Sequence, residues 1–329
     1  MERKNTVTVK SFELGLSSLL DARSKTLVVE QTDFWNRMGE ECNYQVTENS
    51  AASVLRDIYR RNLLPMVEKQ KKTYDVKIER KEIAGIEVEI FTPVICKARV
   101  NRHQILINLH GGGFVTGDLE GGQVESIPIA ATSGIPVVSI NYRLAPDAKF
   151  PAASDDVIAV YCALLQEYSS MSIGVYGASA GALLSAQVLA QLIKREIPLP
   201  AAVGMFALGA FDYMDTDSMS IVKELECINL PATENHPYYG GDTCLEDVFP
   251  GCSDAIIRRF PPSLLISSIR DLGLSSVVQT HNRLIENGVP AELRVWEGLR
   301  HCFFYDPDFD QSKEMYAAVG RHFNRYLSS

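Results

Sequence analysis

The chain has 329 residues, of which 46% are hydrophobic and 22% charged, with a formal net charge of -9. That composition belongs to a folded chain with a sizeable core, and it excludes a disordered chain, a collagen-like fibre and a coiled-coil rod. The acidic balance argues against a general nucleic-acid binder, which needs a basic face, and says nothing about fold. At ~100–200 residues per domain, the length allows one domain or two.

The seven cysteines are Cys42, Cys96, Cys162, Cys227, Cys244, Cys252 and Cys302. They form no CxxC pair, which argues against a zinc site or a redox dithiol. An odd, scattered set fits free thiols in a reducing compartment. The polar start, Met1-Glu2-Arg3-Lys4-Asn5, leads into no apolar segment, so no signal peptide is expected. No run of 18 apolar residues predicts a membrane span. The expected location is cytoplasmic.

Residues 1 to about 72 predict helix: Val54, Leu55, Ile58 and Leu63 recur at helical spacing until Pro65 interrupts them. From Tyr74 the period changes to two. Val76 and Ile78 alternate with polar residues, Gly85 turns the chain, and Ile86, Val88 and Ile90 alternate again, which predicts a hairpin or adjacent strands. Short apolar runs follow at 105–109, 136–140, 173–176, 201–208, 264–269 and 291–296. Helical segments lie among them at about 154–168, 180–196, 275–286 and 312–326. Apolar strands alternating with helices predict an α/β chain whose parallel sheet is covered on both faces. Asn287-Gly288 and Pro290 mark the end of the third of these helices. From 211 to about 259 the rhythm breaks in a stretch of Pro, Gly and acidic residues, which predicts an insertion over one end of the sheet.

Gly177-Ala178-Ser179-Ala180-Gly181 is a G-x-S-x-G string between a predicted strand and a predicted helix. A tight strand-to-helix turn needs small neighbours, and it lifts the serine hydroxyl above the sheet at the positive end of a helix. Read alone, Ser179 also fits a helix N-cap in a glycine-rich turn. His110-Gly111-Gly112-Gly113-Phe114 follows another strand, and its bare backbone N–H groups can serve as an oxyanion hole. A flexible turn is the alternative. A phosphate loop would carry Lys-Ser/Thr where Phe114-Val115 stands.

A serine hydroxyl needs a base. Of the six histidines, His103 and His281 fall in surface contexts, His236 in the insertion, and His322 in the last helix, where solvation is expected. His301 follows the 291–296 strand and a Glu297-Gly298 turn, at the strand end where open α/β sheets bind ligands. An ordinary loop histidine remains the alternative. Asp271 follows the 264–269 strand and is the candidate to orient His301, or a cap for the next helix. Glu297 and Asp306 are weaker candidates for that acid. The order Ser179, Asp271, His301 matches the Ser…Asp/Glu…His order of α/β-hydrolases.

With these residues in view, the chain resembles the hormone-sensitive-lipase-like group of α/β-hydrolases, the bacterial family IV esterases, from about Ile105 to Tyr326. The resemblance rests on 109–114 with Gly117-Asp118, on Asn141-Tyr142-Arg143-Leu144-Ala145-Pro146 with Phe150-Pro151-Ala152-Ala153, on 177–181, on Arg270-Asp271, and on 296–301. It implies a mostly parallel eight-stranded sheet flanked by helices and a helical cap. The implied division is 1–72 as the N-terminal part of the cap, 73–211 as the first part of the catalytic domain, 212–259 as the cap insertion, and 260–329 as the second part of the catalytic domain.

The resemblance further implies Ser179 as nucleophile, His301 as base, Asp271 as its partner, and Gly112, Gly113 and Ala180 as oxyanion-hole donors. His110, Tyr142 and Arg143 match positions that brace the oxyanion loop. Phe114, Trp35, Phe34 and Cys302 are candidate pocket residues. Two departures stand out. Ala178 replaces the family's usual aspartate beside the serine, and Ala182 replaces its second glycine.

The expected function is that of a serine carboxylesterase acting on short- to medium-chain esters, with no metal and no organic cofactor. Its expected partner is a small-molecule ester, with no nucleic acid and no membrane span, and with room for a homodimer. A lactonase, an amide or carbamate hydrolase, or an acyltransferase would use the same residues. A non-catalytic ligand receptor on the same fold would be expected to lack the histidine at 301.

Overall fold

The structure is a computed structural model that describes residues 14–43, 49–94, 103–226, 230, 232–241 and 243–328, with the backbone alone for 34–43 and 49–51. Two helices lead, α1 (Ala22–Asn43) and α2 (Asn49–Thr73). The change of period at Tyr74 produces β1 (Val76–Ile83) and β2 (Ile86–Pro93), an antiparallel pair. Ala84 and Gly85 join them, both at positive φ, as a two-residue type I′ turn requires.

The βα rhythm then runs through β3 (Ile105–Leu109), α3 (Glu120–Ser133), β4 (Val137–Ile140), α4 (Ala152–Leu164), β5 (Ile173–Ala178), α5 (Ala180–Lys194) and β6 (Ala202–Phe206). Three short helices follow, α6 (Asp217–Glu226), α7 (Leu245–Val248) and α8 (Asp254–Ile257). The chain ends with β7 (Ser263–Arg270), α9 (Leu274–Glu286), β8 (Ala291–Arg300) and α10 (Asp310–Tyr326).

Among the described residues, eight strands form one sheet in the order β1-β2-β4-β3-β5-β6-β7-β8. The β1–β2 and β2–β4 pairs are antiparallel and the others parallel. Every residue of β3, β4, β5 and β6 is buried, because helices cover both faces, and their sequences are accordingly near-continuous apolar runs. The edge strands β1 and β8 alternate with charged residues, which blunts two otherwise open edges. From β3 the chain winds to β4 on one side, and from β5 onward to the other. The strand order therefore reverses between β3 and β5, where an open α/β sheet leaves a crevice at the strand C-termini.

The structure departs from the sequence-based expectations in four places. Pro65 does not end its helix: α2 continues to Thr73, with Leu63 and Val67 fully buried on either side of it. The core contacts of both halves offset the single backbone hydrogen bond that proline removes. The helix α3 went unforeseen. It is buried almost all round, between α2, α10 and the sheet, so it carries no apolar stripe, and it contains Pro128.

Glu297-Gly298 is no turn. It lies within β8, where two residues of β7 span four of β8 and Gly298 takes a φ of +71°. His322, expected in solvent, is buried on α10. Burial pushes its pKa down to about 4, so it stays neutral.

Candidate active site

Ser179 follows β5 and precedes the first residue of α5, with φ +54° and ψ -121°. A positive φ is costly for a serine and persists only where the surroundings fix it. Here they do. A Cβ on Gly181 would sit 1.7 Å from the Leu109 carbonyl oxygen, and one on Gly177 would sit 2.4 Å from the Gly181 backbone. The turn is thus clamped between β3 and α5, and the Ser179 N–H is tied to the Phe206 carbonyl at 2.8 Å. The Ser179 side chain makes no capping bond to its own helix. Its hydroxyl donates instead to Nε2 of His301, at 2.9 Å.

His301 follows β8, and its Nδ1 lies 2.6 Å from Oδ1 of Asp271. A carboxylate only accepts, so the ring proton belongs on Nδ1 and Nε2 faces the serine with a free lone pair. Asp271 follows β7 and is 1% exposed. Its Oδ2 accepts from Ser267 Oγ at 2.9 Å, and its Oδ1 also accepts the Gly273 N–H at 2.8 Å. The carboxylate thus orients His301 and ties the turn before α9, whose N-cap position is Gly273 rather than Asp271. Of the weaker candidates, Glu297 is exposed on β8, and the Asp306 carboxylate is paired with Lys69 at 3.4 Å.

The His301 side chain is 21% exposed, enough for a small molecule to reach the ring. Burial works against its imidazolium, while Asp271 works for it by charge and by hydrogen bond, and its pKa lies above the usual 6.5. Burial pushes the Cys302 thiol up, so the thiol is neutral near neutral pH and Asp271 supplies the charge.

The loop after β3 passes directly beside this row. A Cβ on Gly111 would lie 3.3 Å from Ser179 Cβ. Gly112, Gly113 and Phe114 follow with φ of +122°, +62° and +60°. Among the described residues, none accepts a hydrogen bond from the backbone N–H of Gly112 or Gly113. Ala180 is the first residue of α5, where an N–H has no partner within the helix.

His110 is buried; its Nδ1–H donates to the Gly111 carbonyl at 2.8 Å, and its ring stacks on Tyr142 with centroids 4.2 Å apart. Burial holds its pKa down at about 4, so it braces the loop as a neutral ring. The Tyr142 hydroxyl donates to the His110 carbonyl at 2.5 Å. Arg143 is placed differently. Its guanidinium grips Asp156 of α4 at 2.7–3.0 Å, so it anchors the loop after β4 rather than the glycines.

Phe114 is 2% exposed and stacks on Tyr238 at 4.4 Å, edge-on to His236 and Tyr239. Cys302 is buried beside His301 with φ +53°. Phe34 and Trp35 lie on α1, and their side chains are outside the described ones.

Sequence reasoning missed two features around this row. Glu125 of α3 reaches under the glycine loop, accepting the Gly111 N–H at 2.8 Å. Its only signal was a lone acid in a run of small and apolar residues. Arg300, next to His301, is buried against Glu226 of α6 at 2.5 Å and donates to the Gln31 carbonyl of α1 at 2.8 Å. Among the described residues no helix is long and apolar enough to cross a membrane, and no group of three or more His, Cys, Asp or Glu side chains could hold a metal ion.

A family model described as alpha/beta hydrolase fold matches residues 106–305. The crystal structure of an esterase E25 is similar over 99% of this chain and 100% of its own, at 27% identity and a TM-score of 0.84. A crystal structure of an esterase from the bacterial hormone-sensitive lipase family matches 91% of this chain and 99% of its own, at 24% identity and a TM-score of 0.75. One of EstE5, soaked with p-nitrophenyl butyrate, matches 91% and 98%, at 21% identity and a TM-score of 0.72. The family match spans more than half of the chain and contains every strand end from which Ser179, Asp271 and His301 project, and the chain belongs to the family of the alpha/beta hydrolase fold.

Proposed function

We propose that the protein is a serine carboxylesterase of the hormone-sensitive-lipase-like group, acting on short- to medium-chain esters. The observation that carries the reading is the row from Ser179 Oγ through His301 to Asp271, at 2.9 and 2.6 Å, on a strained turn at the sheet's switch point. The likeness to esterase E25 over nearly the whole chain supports it.

In this reading His301 Nε2 takes the Ser179 proton as Oγ attacks the ester carbonyl carbon. The N–H groups of Gly112, Gly113 and Ala180 stabilise the oxyanion that forms. His301 then protonates the leaving alcohol oxygen, and the acyl group stays on Ser179. Water attacks the acyl-enzyme by the same proton path and frees the acid. Asp271 keeps the proton on Nδ1 and stabilises the imidazolium without taking the proton itself.

We also assign the described parts of 1–72 and 212–259 to a cap over the site. Support comes from the cluster of Arg300, Glu226 and Gln31, which joins α1 and α6 at the residue next to His301.

Release of nitrophenol from p-nitrophenyl acetate and butyrate tests the reading. Wild-type protein should turn both over, and Ser179→Ala should reduce the rate to background; unchanged turnover in that variant would sink the assignment. A panel of longer esters, lactones and amides then ranks the ester reading against the other hydrolases that share this chemistry.

A further inference from the structure

The Glu125 carboxylate is 3% exposed and stands at a convergence of donors. Its Oε1 accepts the Gly111 N–H at 2.8 Å and the Tyr305 hydroxyl at 2.7 Å. Its Oε2 accepts Asn108 Nδ2 at 2.8 Å, and the Ala178 backbone N–H bonds the same carboxylate. The Asn108 oxygen accepts from Ser139 Oγ at 2.8 Å, which leaves its NH2 facing the carboxylate. Four donors from β3, β5, the glycine loop and the 3-10 turn Phe303–Tyr305 thus point at one group. A carboxylate, which only accepts, satisfies them all without any of them turning.

These contacts bear on the chemistry through Gly111. Its backbone lies against Ala178 and Ser179, and a Cβ there would meet the Ala178 carbonyl oxygen at 3.0 Å and the Tyr305 hydroxyl at 2.8 Å. The N–H that Glu125 holds belongs to the residue just before Gly112 and Gly113. Fixing it fixes the turn that aims the next two N–H groups. Ala178 is also the position where the family pattern carries an acid beside the nucleophile, and here the carboxylate of α3 meets the backbone of that residue.

We propose that Glu125 is a positioning residue, whose carboxylate holds the oxyanion loop in its working shape against Ser179. The proposal rests on the esterase reading. It carries a pH consequence. Burial raises the Glu125 carboxyl to about 7. Once protonated, it loses the charge that strengthens its hold on the Gly111 N–H, and the loop slackens. The groups facing Glu125 are Tyr59 of α2, Tyr142, Tyr176 of β5, Tyr305 and Cys302. Burial pushes each of them up, so none of these changes charge near neutrality.

Glu125→Gln keeps the size of the side chain and sets an NH2 group against the donors. It should lower kcat by about 10²-fold, the scale of one lost oxyanion donor, with KM unchanged. A trifluoromethyl ketone, which forms an oxyanion on the serine, should bind more weakly by the same factor. A packing defect alone would not give that match. The native protein supplies an independent reading that needs no folded variant. Its log kcat/KM should fall more steeply than one proton on the acid limb, where His301 and Glu125 both take up protons. Unchanged kcat in Glu125→Gln, a change in KM alone, or a one-proton slope throughout overturns the proposal. Ser179→Ala is run alongside. Turnover surviving there overturns the esterase reading itself, whereas full activity of Glu125→Gln beside an inactive Ser179→Ala overturns only the role of Glu125.

Discussion

His301 can accept the Ser179 proton only while its ring is neutral, yet its pKa lies above 6.5 because Asp271 holds the imidazolium. Protonation as pH falls removes the base, so the acid limb of kcat/KM should have its midpoint above 6.5. Asp271→Asn takes away the charge that favours the imidazolium and presents an amide to Nδ1. It should lower kcat by up to about 10⁴-fold and move the midpoint down. Glu297→Gln, on the exposed side of β8, should leave both unchanged; a matching loss there would mean that the acid has been misassigned. Ser179, Asp271 and His301, which the structure brings into one hydrogen-bonded row, were legible in the sequence because each stands within about five residues of the end of an apolar run, and strand ends can be read from local pattern. Glu125 was not, because its meaning comes from donors on four separate segments. Arg143, implied to brace the oxyanion loop, pairs with Asp156, a partner that no local pattern reveals.

At the scale of elements, the sheet was readable because helices on both faces make its strands continuous apolar runs. The misreadings share one cause, the tertiary contact that overrides local preference. The helix α3 is enclosed and so lacks a stripe, and its polar residues point inward: Gln123 donates to Glu89, while Glu125 serves Asn108 and Gly111. The helix α2 passes through Pro65 because Leu63 and Val67 belong to the same core as Leu106 and Val137. The strand β8 absorbs Gly298 because Ser17 and Leu20 pack over it, where a Cβ would meet Leu20 at 2.9 Å.

The buried pair of Arg300 and Glu226, with side chains 5% and 7% exposed, fastens α6 to the end of β8. Removing Glu226 takes from the buried guanidinium of Arg300 a counter-charge held within hydrogen-bond distance. Glu226→Ala should therefore cost ~3–5 kcal/mol in a denaturant melt. A loss below about 1 kcal/mol, the range of exposed pairs, would show that water reaches Arg300 and that α6 is not held as described.

For the whole molecule, the sheet order gathers the ends of β3, β5, β7 and β8 on one side, so that a glycine loop, a serine, an acid and a histidine far apart in sequence become neighbours. The helices α1 and α6 join that side through Arg300, one residue from the proposed base. The net charge of -9 plays no part in this arrangement and is compatible with uncharged ester substrates. The central claim is that Ser179, activated by His301, is the nucleophile. Incubation with diethyl p-nitrophenyl phosphate, followed by peptide mass spectrometry, tests it most directly. One diethylphosphoryl group per chain, on the peptide carrying Ser179, should appear in step with the loss of esterase activity. A chain that loses activity with its label elsewhere, or that is labelled on Ser179 and stays active, would contradict the account.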